Sequence, residues 1–130
     1  MRFRARLIVC GRVFTGLGEG AKYVKLYSKA LRELLSCDPY PGTLNIALYP
    51  PYTKVLHDLF RRFSVVIEPP RSGLGIVRAL RCRILGVPCL ALFPERSVYG
   101  LSAVEIVSCV KLRDYLSLED GECVCVEIER

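Results

Sequence analysis

Three observations predict a mainly β fold closed into a barrel. Seven or so short runs of β-forming residues recur along the 130 residues. Clusters of Gly, Pro and Asp separate them. The helical stretches between them are too few to cover a parallel sheet.

Arg6 to Thr15 reads as the first strand, ending at Gly16-Leu17-Gly18-Glu19-Gly20, and Ala21 to Leu26 reads as a second, short strand. Ser28 can cap a helix to about Leu35, with Leu31, Leu34 and Leu35 on its inner face. Asp38-Pro39-Tyr40-Pro41-Gly42 forms a rigid loop, and Thr43 to Leu48 then alternates, with Leu44, Ile46 and Leu48 on one face. Between Tyr52 and Phe63 the apolar residues fall at 52, 55, 56, 59, 60 and 63, the spacing of an amphipathic helix. Strands are expected at Ser64–Glu68, Gly75–Ile84, Val87–Phe93 and Val104–Val107. A short helical segment at Lys111–Leu116 and a turn at Glu119-Asp120-Gly121 lead into a last alternating strand, Glu122–Glu129.

At this length one domain is expected over residues 1–130. Apolar residues make up 52% and charged residues 25%, a globular composition. The apolar runs fall well short of the roughly 18 residues of a membrane span, and the basic start gives way too soon to Gly11-Arg12 for a secretory signal. A soluble, intracellular protein is expected. The net charge of +6 is uneven: residues 1–35 hold eight Lys/Arg against two Asp/Glu, whereas residues 97–130 hold three against seven. A basic body suits an anionic partner such as a nucleic acid or a phosphorylated small molecule, and equally a solvated face with no partner.

Seven cysteines occur without a C-x-x-C pair, and His57 is the single histidine, so zinc lacks its usual ligand pairs. Most cysteines sit among Val, Ile and Leu, as small core hydrophobes do. An odd count argues against a secreted disulfide framework, although bridges do occur in hyperthermophile cytosol. If Leu85-Gly86 is a two-residue hairpin tip, Cys82 faces Cys89 within reach of a disulfide; a longer loop would part them. His57 is expected as a surface or half-buried ring.

Two segments carry possible chemistry. The amides of Gly16 to Gly20 could cradle phosphate oxygens, but the run lacks a Walker lysine, and a structural turn fits it equally. Pro39-Tyr40-Pro41-Gly42-Thr43-Leu44-Asn45 places a hydroxyl and an amide oxygen on one strand face. Such hard oxygens suit Mg²⁺, and they equally suit cross-strand hydrogen bonds.

Together these segments resemble the archaeal CTP-dependent riboflavin kinase family, whose signature is similar to Gly-x-Gly-Glu-Gly, a Tyr-rich strand (here Tyr23 and Tyr27) and Pro-Tyr-x-Gly-Thr-Leu-Asn. Glu105-Ile106-Val107, Lys111-Leu112-Arg113 and Leu116-Ser117-Leu118-Glu119-Asp120-Gly121 resemble its closing segment. The likeness covers about residues 8–48 and 93–128, while 49–92 aligns only by strand pattern.

The resemblance implies a six-stranded cradle-loop, Greek-key-like barrel with a few short helices; many of the family carry a helix-turn-helix domain before the barrel, and none is expected here because the sequence starts almost at the first strand. It implies transfer of the CTP γ-phosphate to the riboflavin 5′-hydroxyl, giving FMN and CDP, with Mg²⁺ as cofactor. Carried over by position, Gly16, Leu17, Gly18, Glu19, Gly20 and Ala21 would line the CDP phosphates, and Val110, Lys111, Leu112 and Arg113 would contact the nucleotide. Thr43 and Asn45 would hold Mg²⁺, and Ser97 and Glu105 would contact the flavin. Glu105 is the candidate to orient or deprotonate the hydroxyl, against a reading as a surface carboxylate at a strand end. Three positions depart from the family pattern: Ser97 for Thr, Ala21 for a basic residue and Cys109 for Pro. A cytoplasmic monomer without nucleic-acid or membrane partners follows. The alternative is a nucleic-acid-binding β-barrel, which would want aromatics along a basic strand; Tyr23, Tyr27, Tyr40, Tyr49 and Tyr52 are instead expected around the pocket.

Overall fold

The computed structural model describes residues 7–95, 100 and 102–129. Seven strands, β1 (Leu7–Phe14), β2 (Leu44–Leu48), β3 (Val65–Ile67), β4 (Val77–Ile84), β5 (Val87–Pro94), β6 (Ala103–Ser108) and β7 (Cys123–Ile128), are all joined antiparallel. Their order β4-β5-β6-β2-β1-β7 returns to β4 through the pairing of Cys82 with Ile128, which closes a six-stranded barrel. β3 stands outside the closure, paired to the other end of the same β4 edge. Closure leaves no open edge around the barrel itself.

Alternation fills the interior. Val9 and Val13 of β1, Ile46 of β2, Ile84 of β4, Ile106 of β6 and Val126 of β7 are wholly or almost wholly buried in one cluster. Helix α3 (Pro50–Phe63) begins with two prolines, whose missing N–H costs nothing in a first turn. Leu56, Leu59 and Phe60 seat it on the barrel core, each burial contributing about 1.5–3 kcal/mol. Val55 and Phe63, expected on that face, are instead 40% and 48% exposed, because the inner stripe is narrower than the sequence pattern.

The segment expected as a second strand is a helix. α1 (Gly20–Leu26) runs through a junction at Tyr27 into α2 (Ser28–Leu35). Ser28 is therefore the first residue of α2, and Tyr27 occupies the cap position that Ser28 was expected to fill. Val24, Tyr27 and Leu31, at helical spacing, pack on the outer faces of β4, β5 and β6 against Ala79, Leu90, Leu92 and Val107. That cover explains β5: Cys89, Leu90, Ala91 and Leu92 are all buried because the strand has core on both faces.

Leu85 and Gly86 form the two-residue tip of the β4–β5 hairpin, both with positive φ (48° and 82°), as a type I′ turn requires. Cys82 consequently faces Cys89, and the two buried thiols share a hydrogen bond at 2.8 Å, sulfur to sulfur, without a disulfide. The other cysteines are not core hydrophobes. Cys10 and Cys125, paired across β1 and β7, form a disulfide with Cα atoms 4.1 Å apart. Cys37 and Cys109 form a second, and Cys123 is exposed. His57 is half-buried, edge-on to Phe93.

Gly11 of β1 stands opposite Leu48 of β2. A Cβ there would stand 2.2 Å from the Ala47 carbonyl oxygen, a backbone atom that cannot turn away. Gly11→Ala is expected to destabilise the barrel by about 2 kcal/mol or more, lowering Tm by several degrees in a thermal melt. An unchanged Tm would show that the two strands part freely.

Candidate active site

The glycine-rich run leaves β1 and enters α1, so a helix follows it where a strand was expected. Gly18 has φ +82°, a backbone region that L side chains rarely adopt. Gly20 is buried, and a Cβ there would come within 2.4 Å of the Thr43 hydroxyl oxygen. The loop thus lies directly against the start of β2. At the beginning of α1 the backbone amides have no partner within their own helix, as at any helix start.

Beside the loop lies a cavity of about 300 Å³. Its lining includes Gly16, Gly18, Glu19, Gly20 and Ala21 from the loop, Thr43 and Asn45 from the start of β2, Glu105 from β6, and Arg113. Leu17 is not among the lining residues; its side chain is 72% exposed. A second cavity of about 190 Å³ is lined by Tyr40 to Leu44 on one side and Val110, Lys111, Leu112 and Arg113 on the other. Gly42, Thr43 and Arg113 belong to both, so the two cavities share a wall. Ser97 lies outside the described residues. Tyr23 and Tyr40 line the cavities, as expected; Tyr27, Tyr49 and Tyr52 do not. Tyr27 is buried in the outer core and donates to the Gly75 carbonyl, and Tyr52 packs against the barrel core.

At the centre of the first cavity three oxygens converge. The Thr43 hydroxyl oxygen is 3.3 Å from Asn45 Oδ1 and 3.3 Å from Glu105 Oε1. Register makes this possible: Asn45 and Glu105 are direct cross-strand neighbours of β2 and β6. Glu105 is 8% exposed within β6 and so is no surface carboxylate. Burial pushes its carboxyl above the ordinary glutamate range, while hydrogen bonds from Tyr23 and Thr43 pull it down. A single hydroxyl proton cannot satisfy an amide oxygen and a carboxylate together. Such a cluster of hard oxygens fits a small divalent cation.

Arg113 is held at the rim. It reaches the Phe14 carbonyl at 3.3 Å and Asp120 at 2.8 Å, and Thr15 donates to the same carboxylate at 2.7 Å. Thr15, then Arg113, holds Asp120 below the usual carboxylate range. Lys111 is exposed, 3.5 Å from Asp114. The Cys37–Cys109 disulfide ties the Asp38–Gly42 loop to the segment carrying Val110 to Arg113, the two sides of the second cavity.

Sequence reasoning missed Phe14, Thr15 and Pro94 in the first cavity and Ser108 in the second. Tyr23, expected near the pocket as part of a strand, reaches it from a helix, one turn after Gly20.

Residues 13–128 match the family model named for CTP-dependent riboflavin kinase and described as "Domain of unknown function DUF120". The chain is 43% identical over 129 residues to a riboflavin kinase of Pyrobaculum arsenaticum, covering 95% of this chain and 61% of that protein. It is 42% identical over 124 residues to one of Pyrococcus abyssi, covering 92% and 58%. A riboflavin kinase of Staphylothermus marinus is 39% identical over 117 residues, with 88% of this chain and 85% of the relative covered. The chain thus spans about six-tenths of the first two relatives and most of the third.

Proposed function

The chain belongs to the CTP-dependent riboflavin kinase family, and from that premise we propose that it phosphorylates the 5′-hydroxyl of riboflavin with CTP, releasing FMN and CDP. The carrying observation is the convergence of Thr43, Asn45 and Glu105 beside a glycine loop, in a cavity sharing a wall with a second one. Phosphoryl transfer needs aligned oxygens and neutralised charge more than covalent chemistry, and these residue types supply both.

In this reading Gly16 to Ala21 seat the phosphates through backbone amides, and the segment Val110 to Arg113 holds the rest of the nucleotide. Arg113, shared by both cavities, adds positive charge where they meet. Thr43 and Asn45 would hold Mg²⁺, which when bound draws charge from the phosphate oxygens. Glu105 faces the incoming 5′-hydroxyl and takes its proton as the hydroxyl oxygen bonds to the γ-phosphorus; the bond from that phosphorus to the β-phosphate bridging oxygen breaks, and CDP leaves. Burial raises the affinity of that carboxylate for a proton, which favours it as the acceptor. Ser97 would contact the flavin. The protein would work as a cytoplasmic monomer; among the described residues no helix is long and apolar enough to cross a membrane.

Incubation with riboflavin, Mg²⁺ and each nucleoside triphosphate in turn tests the proposal. FMN should form with CTP and far less with ATP, GTP or UTP. No FMN from CTP would end it.

A further inference from the structure

We propose that Asp120 is a positioning residue of the nucleotide site, holding the Arg113 guanidinium on the wall that the two cavities share. The proposal rests on the kinase reading above.

Asp120 lies in the turn before β7, and backbone hydrogen bonds fasten that turn to the end of β1. The Gly121 N–H donates to the Val13 carbonyl at 2.7 Å, and the Val13 N–H donates to the Glu122 carbonyl at 2.9 Å. Arg12 adds a bond to the Gly121 carbonyl at 3.0 Å. Inside the turn, the Glu119 N–H donates to the Glu122 carboxylate at 3.0 Å. The Asp120 side chain is 54% exposed, yet the backbone that carries it is fixed. Each of its oxygens has its own donor: Oδ2 accepts from the Thr15 hydroxyl at 2.7 Å, and Oδ1 pairs with Arg113 at 2.8 Å. Arg113 Nη2 donates to the Phe14 carbonyl at 3.3 Å.

Arg113 stands on α4 (Leu112–Tyr115), a single helical turn. A long arginine side chain loses conformational freedom when a ligand orders it, and that loss weakens binding. Here Asp120 and the Phe14 carbonyl order it beforehand. Arg113 lines both cavities, whereas Asp120 is not among the residues lining either. The carboxylate therefore acts through the guanidinium and not on the nucleotide. The same carboxylate grips Thr15, the residue before Gly16. The foot of the phosphate-binding loop and the cation between the cavities thus share one anchor.

Titration calorimetry with CDP and Mg²⁺, without riboflavin, tests the role. Asp120→Ala should weaken CDP binding by about 3- to 10-fold, the fold-change for ordering one flexible side chain on binding. KM for riboflavin should stay within about twofold. Tm should fall by no more than a few degrees, since an exposed ion pair adds little stability. Arg113→Ala should lose more than about tenfold, and adding Asp120→Ala to it should cost less than about twofold more. Unchanged or tighter CDP binding by Asp120→Ala, or full additivity with Arg113→Ala, would overturn the proposal. In a crystal structure of Asp120→Ala, Arg113 should leave the Phe14 carbonyl; a guanidinium that stays in place would refute the role. Wild-type protein that binds CDP but makes no FMN would defeat the kinase reading alone. Wild-type protein that binds no CDP would overturn both.

Discussion

Asn45→Ala should abolish FMN formation while leaving the barrel folded. The side chain belongs to the cavity and not to the core: Leu44 and Ile46, on either side, are the buried residues of β2. Removing the carboxamide deletes one of three converging oxygens and leaves Thr43 and Glu105 facing each other across 3.3 Å. Changes to groups that merely support metal ligands cost about 10–100-fold, so loss of a direct ligand should exceed ~100-fold. Raising Mg²⁺ should recover part of the activity of Asn45→Ala and none of that of Glu105→Gln. Thr43→Ser should be milder than Thr43→Ala, since it keeps the oxygen. Activity of Asn45→Ala within a few-fold of wild type would exclude direct ligation.

Gly20→Ala should be more damaging than Gly18→Ala, although Gly18 has the less usual backbone. At Gly18 nothing lies within 4 Å of an added Cβ, so the cost is the positive φ alone, about 1–2 kcal/mol. At Gly20 the new methyl meets Thr43 Oγ1 at 2.4 Å, with Thr43 Cγ2 and Cβ close behind at 3.2 and 3.3 Å. Rotating Thr43 replaces one clash with another, so the loop and β2 must separate. The phosphate seat and a candidate metal ligand are then lost together. Steady-state kinetics should show KM for CTP rising at least tenfold in Gly20→Ala, with a smaller rise in Gly18→Ala. The reverse order would mean that the loop, and not its contact with Thr43, governs binding.

The strand pattern was legible because alternation reports a one-sided core directly. Leu44, Ile46 and Leu48, like Val124, Val126 and Ile128, are buried as their spacing requires. The Leu85-Gly86 tip was equally local, and its register followed. Ala21 to Leu26 was misread because Lys-Tyr-Val-Lys contains good β-formers and is too short to show a period. What makes it helical is the packing of Val24, Tyr27 and Leu31 on the barrel's outer face, visible only across the Tyr27 junction. At the site, Thr43, Asn45, Glu105 and the glycines could be named from motifs, whereas Phe14, Thr15 and Pro94 join through contacts between distant parts of the chain. The cysteines misled for a related reason: Cys10 and Cys125 sit among apolar neighbours in sequence, yet pleating turns both outward, opposite one another.

That outward pair joins positions 115 residues apart, so its bond closes the stretch from Cys10 to Cys125 into a covalent ring. In the chain-entropy picture, closing a loop of ~100 residues contributes about 4.7 kcal/mol by restricting the unfolded ensemble. The ring also changes what breakage means. A single backbone cut anywhere between Cys10 and Cys125 leaves one molecule of unbroken connectivity, whose first and last strands cannot drift apart while the bond is intact. The seam between β1 and β7 is thus closed by a covalent bond as well as by its ladder of hydrogen bonds.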